Sequence, residues 1–170
     1  MSNNIPDFHA IARQLIADAQ TIAEVEMINF IVGNFEKQGF TDTSFTPWQQ
    51  RKNNDDAGRA ILVKSAALRD SISITEANDK RIVATATAKY AAIHNEGGVV
   101  NIPVTPKMKK WFWYMYKRTR NEKYKLMALT KKSHFTFTMP KRQFMGDSQA
   151  FMKIIEDKFF NMIAERFKAI

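Results

Sequence analysis

Apolar residues recur at helical spacing along the N-terminal part of the chain: Phe8, Ile11, Leu15, Ile22, Val25, Phe30 and Ile31, with alanines between them. This period predicts one long amphipathic helix over residues 7–38, started at Pro6-Asp7 and stopped at Gly39. Gly33 falls inside it, at a cost of about 1 kcal/mol relative to alanine. The period then disappears. Thr41-Asp42-Thr43 and Asn53-Asn54-Asp55-Asp56 have loop chemistry, so residues 40–60 are expected to be loop, anchored by burial of the Trp48 ring after Pro47. From Ile61 the pattern tightens, and Ile61-Leu62-Val63 with Leu68 suit a short helix or turn. Ser71–Thr75 and Arg81–Thr87 alternate on either side of Ala77-Asn78-Asp79-Lys80, which predicts a β-hairpin with one buried face. Tyr90 to Asn95 has room for one or two helical turns closed by Gly97, and Val99 to Val104 reads as a strand before Pro106.

Lys107 to Lys125 is predicted helical, with Met108, Trp111, Phe112, Met115 and Tyr116 interleaved among Lys109, Lys110, Lys117 and Arg118. Phe135-Thr136-Phe137-Thr138 alternates again, giving a strand within 131–138. Asp147 or Ser148 then caps a last helix to about Lys168, whose apolar stripe is Phe151, Ile154, Ile155, Phe159, Met162, Ile163 and Phe167. The expected fold class is α+β, with long N-terminal and C-terminal helices packed on a small antiparallel sheet. No internal repeat or low-complexity linker divides the chain. Residues 1–170 therefore read as a single domain, with residues 99–138 a basic, aromatic-rich helical excursion.

Composition narrows the function classes. With 170 residues, 45% of them apolar, and 13 Phe and 3 Trp, the chain can bury a real core. No apolar run approaches the roughly 18 residues of a membrane span, so no membrane is expected as a partner. Met1-Ser2-Asn3-Asn4-Ile5-Pro6-Asp7 has neither a basic nor an uninterrupted apolar region, and no secretory signal is expected. The absence of cysteine excludes disulfides, thiolate metal sites and cysteine nucleophiles. The net charge of +9 is concentrated: residues 101–145 carry 12 basic and 1 acidic side chains, against 10 and 12 in residues 1–100 and 4 of each in residues 146–170. One basic segment sits on a near-neutral body, able to meet nucleic acid, an anionic membrane or an acidic protein surface.

Catalytic chemistry is thin. His9, His94 and His134 have no metal-ligand spacing with one another or with paired carboxylates, and no nucleophile elbow, phosphate loop or dinucleotide fingerprint occurs. His94 and Glu96 can be written as an acid–base pair, but no nucleophile accompanies them; His94 is expected to be satisfied by nearby backbone. No catalytic residue, cofactor or metal is expected. The string Lys110-Trp111-Phe112-Trp113-Tyr114-Met115-Tyr116-Lys117, followed by Arg118, carries more information. Aromatics among cations can stack on bases, lie at a membrane interface or form a protein–protein hot spot. Since residues 111–116 surround a helix axis, burial on more than one side is expected, which favours packing on a second copy or partner. A nucleic-acid-binding module over residues 107–132 is the alternative.

Three segments carry a family resemblance: Ile61–Ile72, with Leu68-Arg69-Asp70-Ser71-Ile72; Tyr90-Ala91-Ala92-Ile93-His94-Asn95-Glu96-Gly97-Gly98; and Pro140-Lys141-Arg142-Gln143-Phe144-Met145-Gly146. In order and spacing they resemble phage virion morphogenesis proteins of the tail-completion and head–tail joining type, over roughly residues 45–170, with Pro47-Trp48 where an aromatic precedes the first motif. Two positions depart from the family pattern. Ala66 stands in place of a glycine, so a different local backbone is expected. Gln143 stands in place of a second proline, restoring an N–H and relaxing the turn. The resemblance implies structural roles for Trp48, Leu68, Arg69, Tyr90, His94, Gly97, Gly98, Pro140, Arg142, Phe144 and Gly146. It implies a non-enzymatic structural protein of a tailed phage or prophage, found in the virion or, during assembly, in the cytoplasm of the bacterial host. It further implies a homo-oligomeric ring, other neck or tail proteins as partners, and a possible DNA contact in a lumen.

Overall fold

The computed structural model describes residues 7–51 and 58–168. Pro6 of the expected helix start and the Asn53–Asp56 cluster lie outside the described residues. The chain divides into two compact units, one running to Glu96 and resuming at Lys141, the other formed by Gly97–Pro140. The fold is α+β, and its antiparallel strands pair as three separate two-stranded ladders.

In the first unit, α1 (Phe8–Lys37) begins at Asp7, whose carboxylate accepts the backbone N–H groups of His9 and Ala10 at 3.0 Å each. Gln38 ends the helix in the left-handed conformation, φ 60°. Gly39 is required one residue later for a different reason. A Cβ there would collide with the Phe45 ring and lie 2.6 Å from the Thr46 carbonyl oxygen. That close approach belongs to a hairpin, β1 (Gly39–Thr41) with β2 (Phe45–Pro47), where a featureless loop was expected. Alternation has too few residues to show in strands of three.

A short helix α2 (Ala67–Asp70) leads into the expected hairpin, β3 (Ile72–Ala77) with β4 (Ile82–Ala86), turned by Asn78, whose side chain accepts the N–H groups of Lys80 and Arg81. Next comes α3 (Ala91–Glu96). The last helix, α6 (Gln149–Lys168), starts at Ser148 rather than Asp147: the Ser148 hydroxyl accepts Phe151 N–H at 3.0 Å and donates to the Thr41 carbonyl at 2.8 Å. The helix runs antiparallel to α1, as the contacts Phe30–Phe151, Glu26–Lys158 (3.3 Å) and Asp18–Arg166 (2.6 Å) show. The core lies at one end of α1, where Ile31 and Phe35 meet Trp48, Ile61, Leu68, Ala91 and Phe144.

The second unit is a hairpin and a helix pair. β5 (Gly98–Pro103) pairs with β6 (His134–Met139) without a register break. The single helix expected over Lys107–Lys125 is two, α4 (Pro106–Thr119) and α5 (Glu122–Ala128). Arg120 turns the chain at φ 55°, and Asn121 caps α5 through Lys123 N–H at 3.0 Å. The Thr-Arg-Asn punctuation was in the sequence, but the continuous run of apolar and basic residues hides it.

Candidate functional site

Most residues of the three sequence motifs lie in the first unit, where Leu68, Ala91 and Phe144 share one core. Residues 141–146 form a strap tied down along its length. Arg142 N–H donates to the His94 carbonyl at 2.8 Å, and the Asn95 side-chain oxygen accepts Phe144 N–H and Met145 N–H at 2.9 and 3.1 Å. Trp48 Nε1 donates to the Gln143 carbonyl at 2.6 Å, and Asn34, itself buried, donates to the Phe144 carbonyl at 3.1 Å. The Arg142 guanidinium is buried and donates through Nε and Nη2 to the Gln49 carbonyl. Phe144 is fully buried against Phe35. The bonds to Arg142 N–H, Phe144 N–H, Met145 N–H and the Gln143 and Phe144 carbonyls replace water around backbone groups that the irregular strap leaves without a ladder partner.

Both departures from the family pattern acquire a structural reading. Ala66 keeps a left-handed backbone, φ 56°, so alanine adopts the conformation that glycine favours instead of a different one. Residue 143 is used through its carbonyl, which proline would supply equally well. Gly146 sits at φ 144°, and a Cβ there would lie 2.7 Å from the Gln143 side-chain nitrogen. Gly97 and Gly98 also have positive φ, 75° and 135°. Pro140 and these two glycines lie in the second unit, so the motifs are not wholly gathered in one place. Arg69 packs no core: it pairs with its neighbour Asp70 at 2.9 Å on the surface.

His94 departs from expectation. Its Nδ1 is buried and has no hydrogen-bond partner among the described residues, so the neighbouring described backbone does not satisfy it. Tyr90 meets the ring edge-on at 5.7 Å. Burial, and then the neighbouring Arg142 charge, hold the imidazole below its ordinary pKa, which keeps it neutral near pH 7. His94, Tyr90, Leu68 and Arg142 line a pocket of about 430 Å³ together with Arg51, Lys64 and Ser65, and Glu96 is not among its lining residues. The motif residues Trp48, Asn95, Arg142 and Phe144 thus fasten the strap to the body of the first unit. Among the described residues no group of three or more histidine and carboxylate side chains is placed to hold a metal ion.

In the second unit, Phe112 is the anchor. It is buried, stacked on Tyr124 and edge-on to Phe135 of β6. Its neighbours on α4 point elsewhere: Trp111, Trp113 and Tyr114 are 50%, 36% and 56% exposed. Within the single chain the helix is therefore buried on one side, that of Phe112. At about 100° per residue, Lys110, Tyr114 and Lys117 fall within roughly 60° of arc, with Trp113 and Arg118 flanking.

This unit holds ten cations and one carboxylate, Glu122, while the rest of the chain has equal numbers of each. Lys109 donates to the Thr130 carbonyl, and Lys125 pairs with Glu122 and lies over the Tyr116 ring, whose hydroxyl also donates to Glu122. The other eight cations, Lys110, Lys117 and Arg118 among them, have no side-chain partner among the described residues. The sequence located this face by its charge, but only the contacts show which aromatic it buries.

A third feature had no clear signal in the sequence. Met27, Phe30, Ile82, Val83, Phe151 and Met152 line an open groove of about 1180 Å³ between α1, β4 and the start of α6, edged by Asp42, Asp147, Glu156 and Asp157. Its apolar residues come from three separate elements, so no local pattern announces it. No described helix is long and apolar enough to cross a membrane.

No curated protein and no solved structure shows significant similarity to the chain. A family model does, and its match runs from within α1 through the strap to near the end of α6. Over residues 11–164 the chain matches the phage virion morphogenesis family, and it belongs to that family.

Proposed function

We propose that the protein is a non-enzymatic structural component of a tailed phage or prophage, acting at the head–tail junction or in tail completion by assembling into a closed ring. Family membership supports the morphogenetic role. The observation that carries self-assembly is the outer face of α6. Met152, Phe160, Ile163 and Phe167 are 55%, 74%, 43% and 53% exposed, and at about 100° per residue they fall within roughly 80° of arc. An apolar stripe of this kind marks an interaction surface. The oligomeric mass tests the reading: Phe160→Arg with Ile163→Arg should lower it while the helical circular dichroism persists. A mass unchanged by both substitutions argues against the stripe as an interface.

A second reading has its own support. The unpaired cations around Tyr114 form a surface on which phosphates and bases of nucleic acid can be held. Binding of free DNA with a steep inverse dependence on salt belongs to that reading, and weak, salt-insensitive binding to the first.

A further inference from the structure

We infer that the groove between α1, β4 and α6 is the receptor for the basic-aromatic helix α4 of a second copy of this chain. The inference rests on the ring reading above and specifies the two halves of its contact. The groove is lined by the apolar side chains of Met27, Phe30, Ile82, Val83, Phe151 and Met152. Asp147, Glu156 and Asp157 also line it and have no ion pair among the described residues, against one lining cation, Lys153.

The helix presents the complementary chemistry. Trp113 and Tyr114 are exposed apolar rings with polar tips, and Lys110, Lys117 and Arg118 beside them are unpaired. Trp and Tyr flanked by cations are the side chains that anchor interfaces most strongly. Drug-sized ligand sites occupy about 300–1,000 Å³, so the groove, at about 1180 Å³, has room for more than one such ring. Met152 belongs both to the groove and to the exposed stripe of α6, so a helix seated there also begins to cover that stripe.

Joining a groove on one copy to a helix on the next makes the interface heterologous, since each copy offers two different surfaces. Repetition of such a contact closes into a ring or continues as a filament. The placement of the charges gives the pair its direction: the groove rim is acidic, whereas the unit bearing α4 holds the chain's whole net charge. An acidic rim repels a phosphate backbone, so the groove fits a basic protein segment and not nucleic acid.

Two variants of the full chain test this. Groove variant Met152→Arg/Glu156→Lys and helix variant Trp113→Ala/Lys117→Glu are each examined by analytical ultracentrifugation, with circular dichroism confirming the fold. Each alone is expected to weaken self-association at least tenfold. Mixed in equal amounts they should form a heterodimer, because the mixture retains one intact groove and one intact helix. Wild-type assembly unaffected by either variant overturns the inference and leaves the ring reading standing. Two variants that fail to assemble and also fail to pair in the mixture overturn it too. A wild-type chain that is monomeric at every concentration removes both. A helix variant that assembles normally but loses salt-dependent DNA binding assigns α4 to nucleic acid instead.

Discussion

Ala66 holds a left-handed backbone at φ 56°, where the missing glycine would relieve the contact between Cβ and the following carbonyl. Ala66→Gly is therefore expected to stabilise the protein by about 1 kcal/mol in denaturant unfolding, once the greater freedom of glycine in the unfolded chain is set against it. Asn95 works in the opposite sense. Its one oxygen serves two backbone N–H groups of the strap, and Asn95→Ala should destabilise by about 2–3 kcal/mol in the same measurement. His94 sets a pH dependence. Its folded pKa lies below the ordinary 6.5, so above that value both states are neutral and nothing changes. Below it the unfolded chain gains a proton that the folded chain resists, and stability falls as the pH falls. The wild-type melting temperature should therefore drop more steeply between pH 7 and pH 5 than that of His94→Gln. Equal slopes would remove the imidazole from the account. The sequence identified His94 and Arg142 as motif residues, but burial of an unpartnered nitrogen depends on neighbours from distant segments and has no local sign.

At the scale of elements, legibility followed length. The extents of α1 and α6 and the alternation in β3 and β4 around an Asn-Asp turn were readable. The expected apolar stripes do not all face inward, since Phe8 and Val25 of α1 and Ile163 and Phe167 of α6 are exposed. The three-residue strands β1 and β2 offer no period, and their hairpin is visible only in the way Phe45 lies over Gly39. The division of α4 from α5 was hidden for another reason, since Arg120 in a left-handed turn is an uncommon choice at a helix end. The start of α6 depends on Ser148, which caps its own helix and bonds across to β1. Ser148→Ala should cost about 1–2 kcal/mol, measurable by thermal or denaturant unfolding. A change within a few tenths of a kcal/mol would mean that Asp42, which accepts Gln149 N–H at 2.9 Å, fixes the helix start alone.

For the whole molecule, the two units differ sharply in charge. The unit that carries the strap and the two long helices is electrically balanced, and residues 97–140 carry the entire excess. The sequence showed that concentration directly. What it left open was which aromatics remain exposed, because a step of about 100° along α4 buries Phe112 against Tyr124 and Phe135 and leaves Trp113 outside. The proposed ring uses the exposed side chains of both units, so the state of assembly decides the account. Light scattering coupled to size exclusion, over a wide range of protein concentration, measures it most directly. A closed ring gives a plateau at a fixed multiple of the 19.6 kDa chain mass. A mass of one chain at every concentration would contradict it.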